Sequence, residues 1–229
     1  MIAAAEAAGV TLGANHILRL YPVNRRIQEL LREGAIGKLR RIQFAWGEKF
    51  DWPAASGFYF GGAKAHGVLV DKGPHFLDLV CWWLGGQPEV LASRDDSFGG
   101  GEAQISIKLK LNDCTVDGEF SFLTKYSNRF VIEGDAGRIE GSIYDFQTLE
   151  LVDRTGARRK IRVESPTSDI SDFGNFMIDN FLAVLRGTAR PAVSGADVLN
   201  SVILISECYA HRQRYDMPWH DAWSRVTNG

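Results

Sequence analysis

The spacing of hydrophobic residues changes along the chain, and each spacing predicts a different element. Between Pro22 and Gly34 the apolar side chains recur every three or four residues, which is typical of an amphipathic helix that begins at a proline and ends at a glycine. From Leu39 apolar residues alternate with others, which predicts a strand. A second helical pattern predicts a helix that begins at Pro74 and ends at Gly85.

Alternation is clearest at residues 104–122, where two strands flank an Asn-Asp turn. Further strands are predicted near residues 130–133, 138–142, 149–152 and 160–163, and two closing helices at residues 172–186 and from 194 to about 212. Consecutive short strands of this kind indicate an antiparallel sheet with one covered face. We therefore expect an α+β fold, with a large, mostly antiparallel sheet and helices packed on one face.

The first twenty residues do not resemble the beginning of a domain. Residues 1–10 contain helix formers without an N-cap, Gly9 lies where a helix ends, and residues 11–15 are predicted as a short strand. We expect that something upstream of this half-helix and strand is missing. Residues 51–68 are rich in aromatic residues and glycine without periodicity, which predicts a long, ordered loop.

Composition narrows the class of protein. The 229 residues are 45% hydrophobic and 24% charged, as in ordinary globular chains, and the net charge of −2 argues against nucleic-acid binding. The three cysteines show no C-x-x-C spacing, so neither a disulfide framework nor a metal site is indicated, and a cytoplasmic location fits. The chain contains no apolar run of the ~20 residues that a membrane helix requires.

One stretch concentrates polar chemistry. Asp71, His75 and Asp78 are spaced i, i+4 and i+7, so a helix containing them would bring them to one face. A histidine flanked by carboxylates is suited to proton transfer near neutral pH. The alternative is that Asp71 caps the helix and His75 is a hydrogen-bonded core residue.

Five stretches, in order, resemble the carboxy-terminal half of the Gfo/Idh/MocA oxidoreductases, the family of glucose–fructose oxidoreductase and inositol dehydrogenase. They are residues 13–22 (GANHILRLYP), 32–39 (REGAIGKL), 67–78 (GVLVDKGPHFLD), 133–140 (EGDAGRIE) and 191–195 (PAVSG). The third is close to the family signature G-x-L-x-D-x-G-x-H-x-x-D, and the likeness covers essentially the whole chain.

The resemblance implies roles for particular residues. It implies that Asp71 and His75 are the catalytic pair beside the substrate alcohol, with His75 as acid/base, whereas Asp78 is a structural partner. The implied substrate is a polyol, a sugar or a sugar derivative.

Three further residues are candidates for substrate binding. They are Arg19, His66 and Trp52. Their alternatives are a structural ion pair for Arg19, an exposed loop position for His66 and hydrophobic cover for Trp52.

Two features of the family do not occur in this sequence: the glycine-rich fingerprint G-x-G-x-x-G and the Glu-Lys-Pro motif with its catalytic lysine. We therefore interpret residues 1–20 as a remnant of a dinucleotide-binding Rossmann domain and residues 21–229 as the substrate and oligomerisation domain. The chain alone is expected to bind no cofactor, although the family implies NAD or NADP once a nucleotide domain is supplied. Lys72 could replace the missing lysine, but neighbouring residues at a helix start point to different sides.

The leading hypothesis is an incomplete NAD(P)-dependent oxidoreductase, either truncated or one half of a split enzyme with a separate nucleotide-binding chain, and inactive alone. The alternatives are a non-catalytic binding or assembly module and, more weakly, a cofactor-free lyase or isomerase that uses Asp71 and His75. The uncovered sheet face is flat and polar, which predicts a homodimer through that face, as in the family. The residues expected on it are Gln43, Gln104, Ser106, Lys108, Glu119 and Ser121.

Overall fold

The sheet dominates the fold. The computed structural model describes residues 1–53, 59, 67–97 and 100–217, and within them nine strands form one sheet in the order β8-β7-β6-β5-β1-β4-β3-β2-β9. The strands are β1 (Leu39–Gly47), β2 (Glu89–Asp95), β3 (Gln104–Leu111), β4 (Cys114–Ser121), β5 (Arg129–Gly134), β6 (Gly137–Ser142), β7 (Thr148–Asp153), β8 (Arg158–Arg162) and β9 (Arg212–Arg214). Only β1–β4 and β2–β9 pair in parallel. The predicted α+β class is therefore confirmed.

Helices cover one face of this sheet. The described helices are α1 (Ile2–Ala7), which buries none of its own residues, α2 (Pro22–Arg32), α3 (Val68–Leu84), α4 (Asp172–Leu185) and α5 (Leu199–Ala210), with a 3₁₀ turn at Ile17–Leu20. The long helix α3 lies on the sheet, and its Phe76 ring is 4.3 Å from that of Phe44 on β1 and 5.8 Å from that of Phe130 on β5. None of these helices is long and apolar enough to cross a membrane.

The Phe44 ring occupies space that a glycine leaves open. A Cβ built on Gly118 of β4 would lie 2.1 Å from Phe44 Cζ. Gly141 of β6 likewise leaves room for the Phe130 ring, which a Cβ at that position would meet. The three cysteines, Cys81, Cys114 and Cys208, are buried and free.

Three predictions of local structure are wrong: the start of α3, a strand at residues 11–15 and the start of the last helix. Helix α3 begins at Val68 rather than at Pro74, because the carboxylate of Glu102 accepts the backbone N–H of Leu69 and caps a turn that lies before the proline. Residues 11–15 form no strand. They make one isolated bridge, between Gly13 and Ser194, with backbone hydrogen bonds from Ala14 to Val193 and from Gly195 to Leu12 on either side of it.

The last helix begins at Leu199 rather than at Ser194. Ser194 and Asp197 bond each other reciprocally, as in a capping box, but they close a separate turn. Strands β2 and β9 were not predicted, because their alternation is weak and β9 has three residues.

The other face of the sheet is open. A shallow groove of about 680 Å³ crosses it, lined by residues of β1 to β5, and five of the six predicted polar residues are at least partly exposed. The exception is Ser121, which is buried because its hydroxyl accepts the N–H groups of Leu123 and Thr124 in the turn that follows β4.

Candidate active site

A cleft of about 380 Å³ lies beside the first two turns of α3, between the end of β1, the 3₁₀ turn and the segment after β6. Its aromatic and ionisable lining residues are Tyr21, Trp46, Asp71, Lys72, His75 and Tyr144. Three of these six belong to the motif that the sequence analysis singled out.

The start of α3 is fixed by contacts from the segment that precedes β3. Glu102 accepts the Leu69 N–H at 2.9 Å and the Tyr209 hydroxyl at 2.9 Å on the same carboxylate oxygen. Gly67 lies directly against Glu102, and a Cβ there would be 2.2 Å from the Glu102 carbonyl oxygen. The first glycine of the motif is therefore required for close packing at the helix entrance.

His75 is half-buried and lies in the wall of the cleft. Its Nδ1 is buried and makes no hydrogen bond to the described residues, and the ring lies 6.0 Å from that of His16 and 6.3 Å from that of Trp46. Burial lowers the pKa of His75, and the neighbouring His16 lowers it further. A core histidine would have its ring nitrogens bonded to the backbone. This imidazole is instead held neutral and able to accept a proton.

Asp71 lies one helical turn before His75 and lines the same cleft. Its Oδ1 accepts the hydroxyl of Tyr59 at 3.1 Å. The two side chains share the cleft without a direct hydrogen bond between them. The negative charge of Asp71 acts to raise the pKa of His75, against the larger effect of burial.

Asp78 lies behind the cleft, not in it. This buried carboxylate accepts two hydrogen bonds from Arg19, at 2.6 and 2.8 Å, and lies 3.1 Å from Nδ1 of His16 without hydrogen-bond geometry. Arg19 also donates to the carbonyl of Asp197 and is not part of the cleft lining. For Arg19 the structure therefore favours the ion-pair alternative over substrate contact.

A network that the sequence analysis missed forms another wall. Trp46 donates its indole N–H to the Tyr144 hydroxyl at 2.8 Å, and that hydroxyl donates to Glu48. The Lys72 ammonium lies 3.6 Å from the second oxygen of Glu48. Burial and the Glu48 carboxylate raise the pKa of Tyr144 above its usual value. No pattern in the sequence links these positions, because they lie in β1, after β1, in α3 and after β6.

Asp71 and Lys72 were expected on different sides of the helix start, yet both line the cleft. The cleft wraps around the first turn of α3, so adjacent residues reach it from two directions.

Trp52 packs against Phe50 with ring centroids 4.2 Å apart and against Phe122 at 5.6 Å, outside the cleft lining, which favours hydrophobic cover. His66 lies outside the described residues.

A model of the GFO/IDH/MocA C-terminal domain matches residues 24–140, a little over half of the 229 residues. The chain belongs to the GFO/IDH/MocA family. The resemblance noted in the sequence is thereby confirmed, and the matched region includes β1, the whole of α3 and the strands that face it.

Relatives in this family are considerably longer. D-apiose dehydrogenase of Paraburkholderia graminis is 26% identical over 225 residues, which are 91% of this chain and 59% of that protein. The putative oxidoreductase YteT of Bacillus subtilis is 33% identical over 84 residues, which are 35% of this chain and 19% of that protein. The chain therefore spans at most about three fifths of these relatives.

Solved structures show the same fold. The aldose-aldose oxidoreductase of Caulobacter crescentus, complexed with glycerol, superposes with a TM-score of 0.76 at 22% identity, over 92% of this chain and 64% of that one. KijD10, a 3-ketoreductase of Actinomadura kijaniata in complex with NADP and TDP-benzene, gives 0.74 at 20% identity, over 93% and 66%. The described residues contain no group of three or more side chains suited to a metal ion.

Proposed function

We propose that this chain is the substrate-binding part of an NAD(P)-dependent oxidoreductase that acts on a polyol, a sugar or a sugar derivative. The observation that carries the proposal is His75, a half-buried imidazole in a cleft with Asp71 and Lys72, whose buried Nδ1 has no hydrogen-bond partner in the part of the chain that the structure describes. The relatives named for sugar chemistry support the substrate class.

In the proposed reaction, a substrate hydroxyl lies against His75 and loses its proton to the neutral imidazole while the carbon is oxidised. The lowered pKa keeps His75 unprotonated at neutral pH, so the base is ready before the substrate binds. Asp71 lies on the same wall, where its negative charge stabilises the imidazolium that forms. The nicotinamide would supply the acceptor for the hydride.

The described residues do not fit a dinucleotide site of the usual kind. Pyrophosphate binds free N–H groups at a helix N-terminus. In α3 the Leu69 N–H is already taken by Glu102, and the first turn of α4 carries the acidic Asp172. We therefore propose that the nicotinamide is held by a separate nucleotide domain.

We assign residues 1–20 to such a nucleotide domain and residues 21–229 to the substrate domain. Helix α1 supports this division because it buries none of its own residues. Calorimetry of the chain with NAD and NADP at high micromolar concentration should show no heat of binding. Saturable binding in that range would contradict this assignment.

The test of catalysis supplies a nucleotide domain from a family member, fused ahead of Met1 or added as a second chain. Oxidation of a panel of neutral sugars and polyols is then followed by the absorbance of the reduced nicotinamide. His75→Ala should lower the rate about 10²- to 10⁴-fold, the usual contribution of a general acid or base. The matched control is His211→Ala, at an exposed histidine that bonds the Glu207 carbonyl. Equal losses in both variants would refute the role of His75.

We also propose that the open sheet face packs against a second copy of the chain. Its groove carries charges of both signs, including Arg94 and Lys108 beside Asp117 and Glu119, so that two copies related by a two-fold axis can pair opposite charges. Light scattering at tens of micromolar should give twice the chain mass, and Lys108→Glu should lower the dimer fraction. A monomeric mass would refute this interface.

A further inference from the structure

Lys72 is a buried cation on the cleft wall. Its side chain is 6% exposed, and its ammonium lies 4.8 Å from the centre of the Trp46 ring. Among the described residues the nearest charge of opposite sign is Glu48 Oε2, at 3.6 Å, which is beyond a good hydrogen bond. No hydrogen bond joins Lys72 to another described residue.

A buried ammonium with three unused donors is costly unless something accepts them. The faces of Trp46 and Phe122, at 4.8 and 5.7 Å, provide part of the compensation through cation–π attraction. They accept no conventional hydrogen bond. The donors of Lys72 are therefore available to a molecule that enters the cleft.

A hydrogen bond from Tyr144 fixes the orientation of Glu48. The Tyr144 hydroxyl accepts the indole N–H of Trp46 and donates to Glu48 Oε1. This fixes one carboxylate oxygen and leaves Oε2 as an acceptor beside Lys72. A fixed acceptor and a buried donor thus stand 3.6 Å apart, with Lys72 on the cleft wall and Glu48 beside the wall residue Tyr144.

A hydroxyl group fits this spacing, since it can accept from the ammonium and donate to the carboxylate at normal hydrogen-bond lengths. A carboxylate ligand fits less well. It could accept from Lys72, but it would face the negative charges of both Glu48 and Asp71, and two negative charges against one positive disfavour an anion.

We propose that Lys72 and Glu48 form a specificity pair that binds one hydroxyl of a neutral polyhydroxy ligand, other than the hydroxyl that reacts at His75. This deepens the proposed function and rests on it. A site built around a hydroxyl rejects the analogue that lacks it, because its polar groups are then left unpaired. The pair would therefore select for one substituent position on the ligand.

The test uses the full chain and a panel of myo-inositol, D-glucose, D-xylose and glycerol. Binding is followed by NMR through the indole N–H of Trp46, assigned with Trp46→Phe. Lys72→Met retains the length of the side chain and removes its donors, and Glu48→Gln removes the charge of the acceptor. The exposed neighbour gives the matched control, Lys49→Met.

Lys72→Met and Glu48→Gln should each weaken the best ligand about 10- to 100-fold, the usual effect of losing a hydrogen bond to a charged group, while Lys49→Met binds as wild type. The monodeoxy analogue that lacks the hydroxyl bound by the pair should bind the wild-type protein weakly, and Lys72→Met should not change its affinity. Unchanged affinity in Lys72→Met, or tighter binding of D-gluconate than of every neutral ligand, would overturn the specificity pair.

His75→Asn separates this inference from the proposed function. If His75→Asn weakens binding and Lys72→Met does not, the specificity pair is refuted and the proposed function stands. If neither variant changes binding, or no ligand of the panel shifts the Trp46 resonance, both are refuted. Thermal unfolding of each variant shows whether it is folded. If Lys72→Met does not fold, Glu48→Gln tests the same pair at its half-buried partner.

Discussion

Replacing Asp78 by asparagine should destabilise the protein more than most single substitutions. The side chain of Asp78 is 1% exposed and that of Arg19 is 11% exposed, and two hydrogen bonds of 2.6 and 2.8 Å join them. Asparagine removes the charge and presents an N–H group to one of the two guanidinium donors. The positive charge of Arg19 is then left partly buried without a counterion.

Breaking a buried ion pair by removing one partner costs about 3–5 kcal/mol. For a urea dependence of about 3 kcal/mol per molar, the midpoint of unfolding should fall by about 1 M or more. Urea titration followed by tryptophan fluorescence measures that shift. The matched control is Asp113→Asn, at the exposed carboxylate that pairs with Lys38, and its midpoint should not change measurably.

A compensating variant tests the physical reason. Arg19→Met combined with Asp78→Leu replaces the ion pair by apolar side chains, which is often close to neutral. The double variant should therefore recover most of the stability lost in Asp78→Asn. A loss below about 1 kcal/mol in Asp78→Asn, the range of exposed pairs, would refute the expectation that this pair, which joins the 3₁₀ turn to α3, behaves as a buried ion pair.

Three further outcomes follow from the packing and the charges. The imidazole of His75 should titrate below pKa 6.5 by NMR, and His16→Gln should raise that pKa because His16 is one of the neighbours that lower it; an unshifted His75 would contradict its burial. Because its pKa is lower in the folded state, His75 contributes stability above pH 6.5 that is lost as the pH falls towards the folded-state pKa. In His75→Gln the midpoint of urea unfolding should therefore depend less on pH in this range. Gly118→Ala should lower the free energy of unfolding in urea by about 1–3 kcal/mol, because its Cβ meets the Phe44 ring. Gly174→Ala, in α4 with open space around it, should raise that free energy by about 0.5–1 kcal/mol. Equal effects of the two variants would contradict the packing argument.

The sequence alone determined the elements that depend on local spacing. Alternation at residues 104–122 predicted the β3–β4 hairpin, and helical spacing predicted the bounds of α2, because neighbouring residues in these elements meet the same environment at a fixed period. The motif around Asp71 and His75 also indicated where the cleft would be. These inferences needed no knowledge of which distant segments come together.

Tertiary structure decided everything that rests on long-range partners. Helix α3 begins before Pro74 because Glu102, 33 residues away from Leu69, supplies its cap. Lys72 meets its carboxylate partner Glu48 beside the cleft, where Tyr144, 96 residues from Glu48, holds that carboxylate by a hydrogen bond. Arg19 pairs with Asp78 across 59 residues rather than lining the cleft. Local spacing carries no information about such contacts, since they form only when the sheet brings separate strands together, and it is these contacts that determine which polar side chains face the ligand and which are used to hold the fold.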